Sequence, residues 1–149
     1  MVQQRHKLSR GSPSPAPGTI IASNDVGIRR PILLQHLAYG LWQLKKYAES
    51  RKHFLQSGDG EGCGNMLVEF HLCRGFNTEL DLFITQTVLQ YLCLKKVLEA
   101  ATAFRAYTKH HPNIKMDPPF SHPLLNFLWL LIISIKVTVV AIRLVGLSV

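Results

Sequence analysis

Two stretches of this chain repeat each other in register. Leu44-Lys45-Lys46 is followed by Glu49, Ser50 and Phe54, and Leu94-Lys95-Lys96 by Glu99, Ala100 and Phe104, so every offset is 50. A pattern that returns at a fixed spacing marks stacked supersecondary units, none of which can bury its apolar face alone. Each unit here reads as a helix, a basic turn and a second helix. The expected fold is therefore all-α: a right-handed α-solenoid of stacked helical hairpins. Such stacks offer long surfaces to partners, so no enzyme and no cofactor are expected.

Proline and apolar spacing set the expected boundaries. Residues 1–30 are rich in Arg, Ser, Pro and Gly, including Ser12-Pro13-Ser14-Pro15-Ala16-Pro17. They read as a disordered basic arm, because they hold too little apolar surface to offset ordering entropy. Pro31 suits a helix start, and Ile32, Leu33, Leu37, Ala38, Leu41, Trp42 and Leu44 follow at helical spacing. A second helix is expected over 47–57, with Ser50 as the small residue at a helix crossing and Phe54 as the bulky one a turn later. Asp59 is placed to cap a third helix, closed by Arg74-Gly75 with Gly75 left-handed. Thr78 and Asp81 read as a capping box opening a helix that carries Leu82, Ile84, Val88, Leu89, Tyr91 and Leu92. Val97 to His110 forms the next, with Pro112 preventing its continuation. The expected core is Leu41, Trp42, Tyr47, Phe54, Leu67, Phe70, Val88, Leu92, Ala100 and Phe104.

Pro123 then opens a helix that is apolar nearly all round, as expected of one buried between layers or in a membrane. From Leu124 to Ile142 thirteen positions are Leu, Ile, Val or Phe. These favour bilayer insertion by about 4–8 kcal/mol, Lys136 opposes it by about 3 kcal/mol, and Asn126, Ser134 and Thr138 oppose it further. Insertion is marginal on those terms.

Charge and chemistry exclude several classes. The net charge is +8, yet half lies in residues 1–30, where Arg5, Lys7, Arg10, Arg29 and Arg30 face only Asp25. A basic arm on a nearly neutral body lacks the clustered stripe of a phosphate binder, so no nucleic acid is expected. Cys63, Cys73 and Cys93 are odd in number, lack a Cys-x-x-Cys pair and follow no signal peptide, which fits free thiols in the cytosol. Gly58, Gly60, Gly62 and Gly64 lack the Gly-Lys-Ser/Thr ending of a phosphate loop and read as a turn between helices. His71 and Cys73 diverge on a helix and leave a four-ligand metal site unmade. Cys93 has no base beside it in the sequence and is expected to pack as a small hydrophobe. The Lys-Lys turns are expected to be solvated, with an acidic partner along one edge as the weaker reading.

A series of uncommon words carries a resemblance. Trp42, Lys46-Tyr47, Glu49-Ser50-Arg51 and His53-Phe54-Leu55 lead into Asp59-Gly60-Glu61-Gly62-Cys63 and Asn65-Met66-Leu67-Val68-Glu69. Arg74-Gly75-Phe76, Val88-Leu89-Gln90-Tyr91-Leu92-Cys93-Leu94, Pro118-Pro119-Phe120 and Pro123-Leu124-Leu125-Asn126-Phe127 follow. In this order and spacing, over residues 31–135, the chain resembles the Golgi-to-ER traffic protein 4 family. The resemblance implies an α-solenoid of tetratricopeptide-like hairpins that acts as a cytosolic adaptor in the delivery of tail-anchored membrane proteins to the endoplasmic reticulum and their quality control. It implies a ubiquitin-like protein and the Bag6 chaperone as partners. The family's N-terminal helices are not matched, so contact with the targeting ATPase is expected to be lost. Residues 136–149 depart from the pattern as an apolar tail, and the chain reads as a truncated or alternatively spliced form, or as the product of a faulty gene model. Phe120, Leu124, Leu125, Phe127, Leu128 and Trp129 are the expected partner interface, on the ground that an apolar helix without its neighbour lies exposed. The alternative is a small membrane-associated helical protein held by that tail, the membrane being otherwise contacted only indirectly.

Overall fold

The computed structural model describes residues 18–115 and 118–146, with side chains from residue 26 onward. Its helices are α1 (Gly18–Gln43), α2 (Tyr47–Ser57), α3 (Gly60–Arg74), α4 (Leu80–Cys93), α5 (Val97–His110) and α6 (Pro123–Leu144). A 3-10 turn at Asn77–Glu79 precedes α4, and no strand occurs among the described residues. α1 pairs with α2 and α4 with α5, while α3 packs between these hairpins and α6 leans on the second.

The sequence repeat is a repeat of backbone geometry. Lys45 and Lys95 both sit at φ 60°, in the left-handed region. In the first turn the Lys46 amide donates to the Leu41 carbonyl (2.9 Å) and the Lys45 amide to the Trp42 carbonyl (2.8 Å). Fifty residues on, Lys96 donates to Tyr91 (2.9 Å) and Lys95 to Leu92 (3.0 Å). Crossed bonds of this kind close a helix on a left-handed residue, usually glycine. Lysine in that conformation costs about 1–2 kcal/mol, so hairpin packing must offset strain at both turns.

Beneath the turns the two aromatic positions are equivalent. Phe54 is wholly buried, edge-on to Tyr39 at 5.2 Å, and Phe104 is buried edge-on to Phe120 at 5.7 Å. Ser50, buried at the α1–α2 crossing, donates to the Ala38 carbonyl at 2.8 Å, and its repeat partner Ala100 is buried too. Tyr47, Leu67 and Val88 complete the expected core that is fully inside, while Leu41, Trp42, Phe70 and Leu92 are half-buried. Two tyrosines tie layers together through hydroxyls. Tyr91 donates to the Phe54 carbonyl (3.1 Å) and Tyr107 to the Leu80 carbonyl (2.7 Å).

Of the four glycines beginning at Gly58, only Gly58 is a turn residue, left-handed at φ 86°. Gly60, Gly62 and Gly64 lie inside the first turns of α3 and are buried. A Cβ on Gly64 would sit 2.5 Å from the Ala103 carbonyl oxygen, and one on Gly60 would collide with the α5 backbone at Glu99. Gly60 and Gly64, one turn apart, therefore form a flat face along which α3 and α5 approach closely, while a Cβ on Gly62 would meet the Tyr39 hydroxyl of α1 and the Asp59 carboxylate.

Several expected boundaries are corrected. Pro31 is inside α1 and not at its start. Proline lacks the amide that would bond the Gly27 carbonyl, and residues 26–30 are exposed, where water can take that oxygen. Residues 18–30 are thus helical, and residues 1–17 of the expected disordered arm lie outside the described residues. Gly75 is extended (φ −92°, ψ 159°), and a Cβ there would lie 2.5 Å from the His71 ring, so space and not a left-handed turn demands glycine. The turn before α4 is closed by Phe76 and Glu79: the Glu79 amide donates to the Phe76 carbonyl at 2.9 Å, and the Phe76 amide to the Glu79 carboxylate at 3.3 Å. Thr78 lies exposed within that turn and caps nothing. Leu82 and Leu89 face outward, because α4 is covered on only part of its circumference.

Candidate interaction surface

Three polar knots hold the layers in register. Asp59 caps α3, accepting from the Gly62 amide (2.8 Å) on one oxygen and from Gln35 Nε2 (2.8 Å) and the Tyr39 hydroxyl (2.9 Å) on the other. Glu69 accepts from Trp42 Nε1 (3.0 Å), the Tyr47 hydroxyl (2.8 Å) and Lys45 Nζ. The hydrogen bonds from Lys45 and Tyr47 hold the Glu69 carboxyl below its usual range. These donors are why Lys45 is not simply a solvated turn residue. Lys96 is engaged as well, through a bond to the Leu55 carbonyl at 2.7 Å.

The third knot is a buried pair of imidazoles. His71 Nδ1 lies 2.8 Å from His111 Nε2, His71 Nε2 lies 2.9 Å from the Phe76 carbonyl, and the Asn113 amide donates to His111 Nδ1 at 3.1 Å. One proton arrangement satisfies all three contacts: His111 Nε2–H donates to His71 Nδ1, and His71 Nε2–H donates to Phe76. Both rings are then neutral. Burial, then the neighbouring His71 and His122, push the His111 pKa down to about 4.

The thiols do not gather. Cys63 is buried, and burial pushes its thiol up to about 12. Cys73 and Cys93 are exposed, so the small-hydrophobe role expected of Cys93 belongs to Cys63. Among the described residues no three His, Cys, Asp or Glu side chains converge as metal ligands would.

What remains available is apolar surface at the two ends of the stack. The expected interface is mostly inside: Phe120, Leu125 and Leu128 are buried, Leu124 and Trp129 are half-covered, and Phe127 is the exposed one of the six. Asn126 folds the entry to α6 back on itself, donating to the Phe120 carbonyl (2.8 Å) and accepting from its amide (2.7 Å). The free face lies further along. Leu130, Ile133, Val137, Val140 and Leu144 are exposed at spacings of three and four, roughly 130° round the helix from the buried Leu125, Leu128 and Ile132. Leu144 is 83% exposed. On α1, the expected apolar face is covered only at Ala38, with Leu41 and Trp42 half-covered, while Ile32, Leu33, Leu37 and Leu44 face outward.

Comparison with known proteins places both hairpins within one family. The family model described as Golgi to ER traffic protein 4 matches residues 23–139, from α1 well into α6. The chain belongs to that family. It is 53% identical over 105 residues to the human Golgi to ER traffic protein 4 homolog, a match covering 70% of this chain and 32% of the relative. The Xenopus tropicalis homolog is 52% identical over 106 residues, covering 71% and 33% respectively. This chain thus spans about a third of the length of the curated relatives it matches.

Within the Golgi to ER traffic protein 4 family match lie both hairpins, the glycine face of α3 and all three polar knots. The match passes through Lys136 and stops before Arg143. α6 itself continues through residues 135 and 136 without a break, so the expected division between domain and tail is not a boundary between elements. The knots centred on Glu69 and on His71 with His111 escaped the sequence reading. Their only local signal is a lone polar side chain on an otherwise apolar helix face.

Proposed function

We propose that this chain is a non-enzymatic adaptor of Golgi-to-ER traffic. In this reading it works in the cytosol, in the post-translational delivery of tail-anchored membrane proteins to the endoplasmic reticulum and the associated quality control. The observation that carries the reading is identity above one half with Golgi to ER traffic protein 4 homologs, spread over both hairpins. A helical stack whose polar groups are consumed in tying its layers together suits holding better than chemistry. Its partners are proposed to be the ubiquitin-like protein of the pathway and the Bag6 chaperone, with contact to the targeting ATPase lost. Size-exclusion chromatography of the purified chain with each of the three tests this. Co-elution with Bag6 or the ubiquitin-like protein, and not with the ATPase, is expected. Failure to co-elute with either would sink the reading.

A second reading has one observation behind it. α6 is 22 residues long and contains an 18-residue window of mean hydropathy 2.3, long and apolar enough to cross a membrane. Membrane attachment through α6 would require Leu125, Leu128 and Ile132 to leave the core. Carbonate extraction of cell membranes discriminates: release into the soluble fraction removes this alternative.

A further inference from the structure

The two Lys-Lys turns share a backbone but not an electrostatic environment. At the first, Lys45, Trp42 and Tyr47 converge on the Glu69 carboxylate of α3, the helix that follows the first hairpin. Moving each by the repeat of fifty gives Lys95, Leu92 and Val97. The helix that follows the second hairpin is α6, and it contains no Asp or Glu. In place of a carboxylate, α6 brings Lys136 and Arg143, one heptad apart, to the same groove as Lys95. Its walls are completed by Val97, Leu98, Val139, Val140 and a single acid, Glu99, around a volume of about 500 Å³. None of the three cations has a carboxylate partner among the described residues.

The adjoining apolar stripe has the spacing of a helix seam. Leu130, Ile133, Val137, Val140 and Leu144 alternate steps of three and four, the pattern that packs against one partner helix over about 21 Å. Lys136 and Arg143 line one edge of the stripe, and Val140 belongs to both stripe and groove. We infer that this groove and seam dock a helix of another protein, one with an apolar face flanked by carboxylates.

Charge selects that occupant over two others. A second copy would meet the seam with its own α6, setting Lys136 and Arg143 against like charges, or with α1, whose exposed face carries Arg29 and Arg30. A bilayer shares the anionic character but is flat, and cannot fill a concavity between α5 and α6. The groove's chemistry does not depend on the delivery pathway proposed above, because it requires only an acidic amphipathic helix.

The test uses the full chain and two labelled helical peptides of about three heptads, both with leucine seams, one flanked by glutamate and the other by lysine. Fluorescence anisotropy is expected to show the glutamate peptide binding at least about tenfold more tightly, with affinity falling as salt rises. The double variant Lys136→Glu/Arg143→Glu should weaken it about tenfold. Lys109→Glu, an exposed charge at the opposite end of α5, should change it less than about twofold. All substituted side chains are exposed, and circular dichroism confirms that each variant is folded. Equal binding of the two peptides, or an unaffected double variant, overturns the proposal. So does binding to phosphatidylserine vesicles without binding to the peptide, or a concentration-dependent dimer abolished by the same double variant.

Discussion

Acid should unlock the stack at the His71–His111 contact before it reaches the carboxylates. His111 is 2% exposed, its Nδ1 already accepts from the Asn113 amide, and its Nε2 proton is committed to His71. A second proton would have to enter at Nδ1, against an amide hydrogen. The folded pKa of about 4 lies below the ordinary value of 6.5, so the unfolded chain binds the extra proton first. Stability from this group is therefore complete above about pH 6.5 and is lost as pH falls toward 4. Between pH 7.5 and pH 5 the linkage amounts to about 2 kcal/mol, a fall of roughly 4–8 °C in Tm for a chain of this size. Thermal melts across that range should show the slope in the wild type. His111→Gln should show little of it while starting from a lower stability at pH 7.5. Glu69, whose carboxyl is held low, loses its contribution only at more acid pH and so adds nothing to the slope in this window. Equal slopes in wild type and variant, or an NMR titration placing His111 near 6.5, would refute the reasoning.

Three further predictions concern the frame. Lys95→Gly should stabilise the chain by about 1 kcal/mol in urea denaturation by relieving a left-handed lysine; Lys45→Gly should give less, since it also forfeits the bond to Glu69. Gly64→Ala should cost about 1–3 kcal/mol, because the added methyl meets the Ala103 carbonyl of α5; a neutral result would mean α3 and α5 do not approach as described. Phe54→Ala and Phe104→Ala should each cost about 3–5 kcal/mol in the same assay through the cavities they leave, and losses below about 1 kcal/mol at both would remove the equivalence of the two layers.

The parts of this fold legible in the sequence are those set by local rules. The bounds of α2, α3 and α5 follow from turn residues and apolar spacing, and Phe54 and Phe104 are core because a bulky residue must fill the gap beside a small one. Local rules fail where space between helices decides. Gly75 looks like a left-handed cap, but its glycine is required by the ring of His71, four residues earlier, whose edge an added Cβ would meet at 2.5 Å. Pro31 looks like a helix start, but an exposed helix tolerates a missing amide. The apolar run from Leu124 onward announces a helix without saying which face is covered, and so Leu125 and Leu128 were expected to lie open, whereas the exposed stripe runs from Leu130 to Leu144. The groove cations could not be gathered from sequence, since Lys95 and Arg143 meet only when α6 folds back over α5.

Asp59 divides its two oxygens between the first turn of α3 and the middle of α1. Fraying at the beginning of α3 therefore also releases Gln35 and Tyr39, and peeling of α1 uncaps α3. Neither the start of α3 nor this part of α1 can open without breaking the shared contact, so amides near Gly62 and near Tyr39 share one opening event and should exchange with deuterium at a common rate. A single carboxylate thus makes two segments, distant in the chain, one cooperative unit.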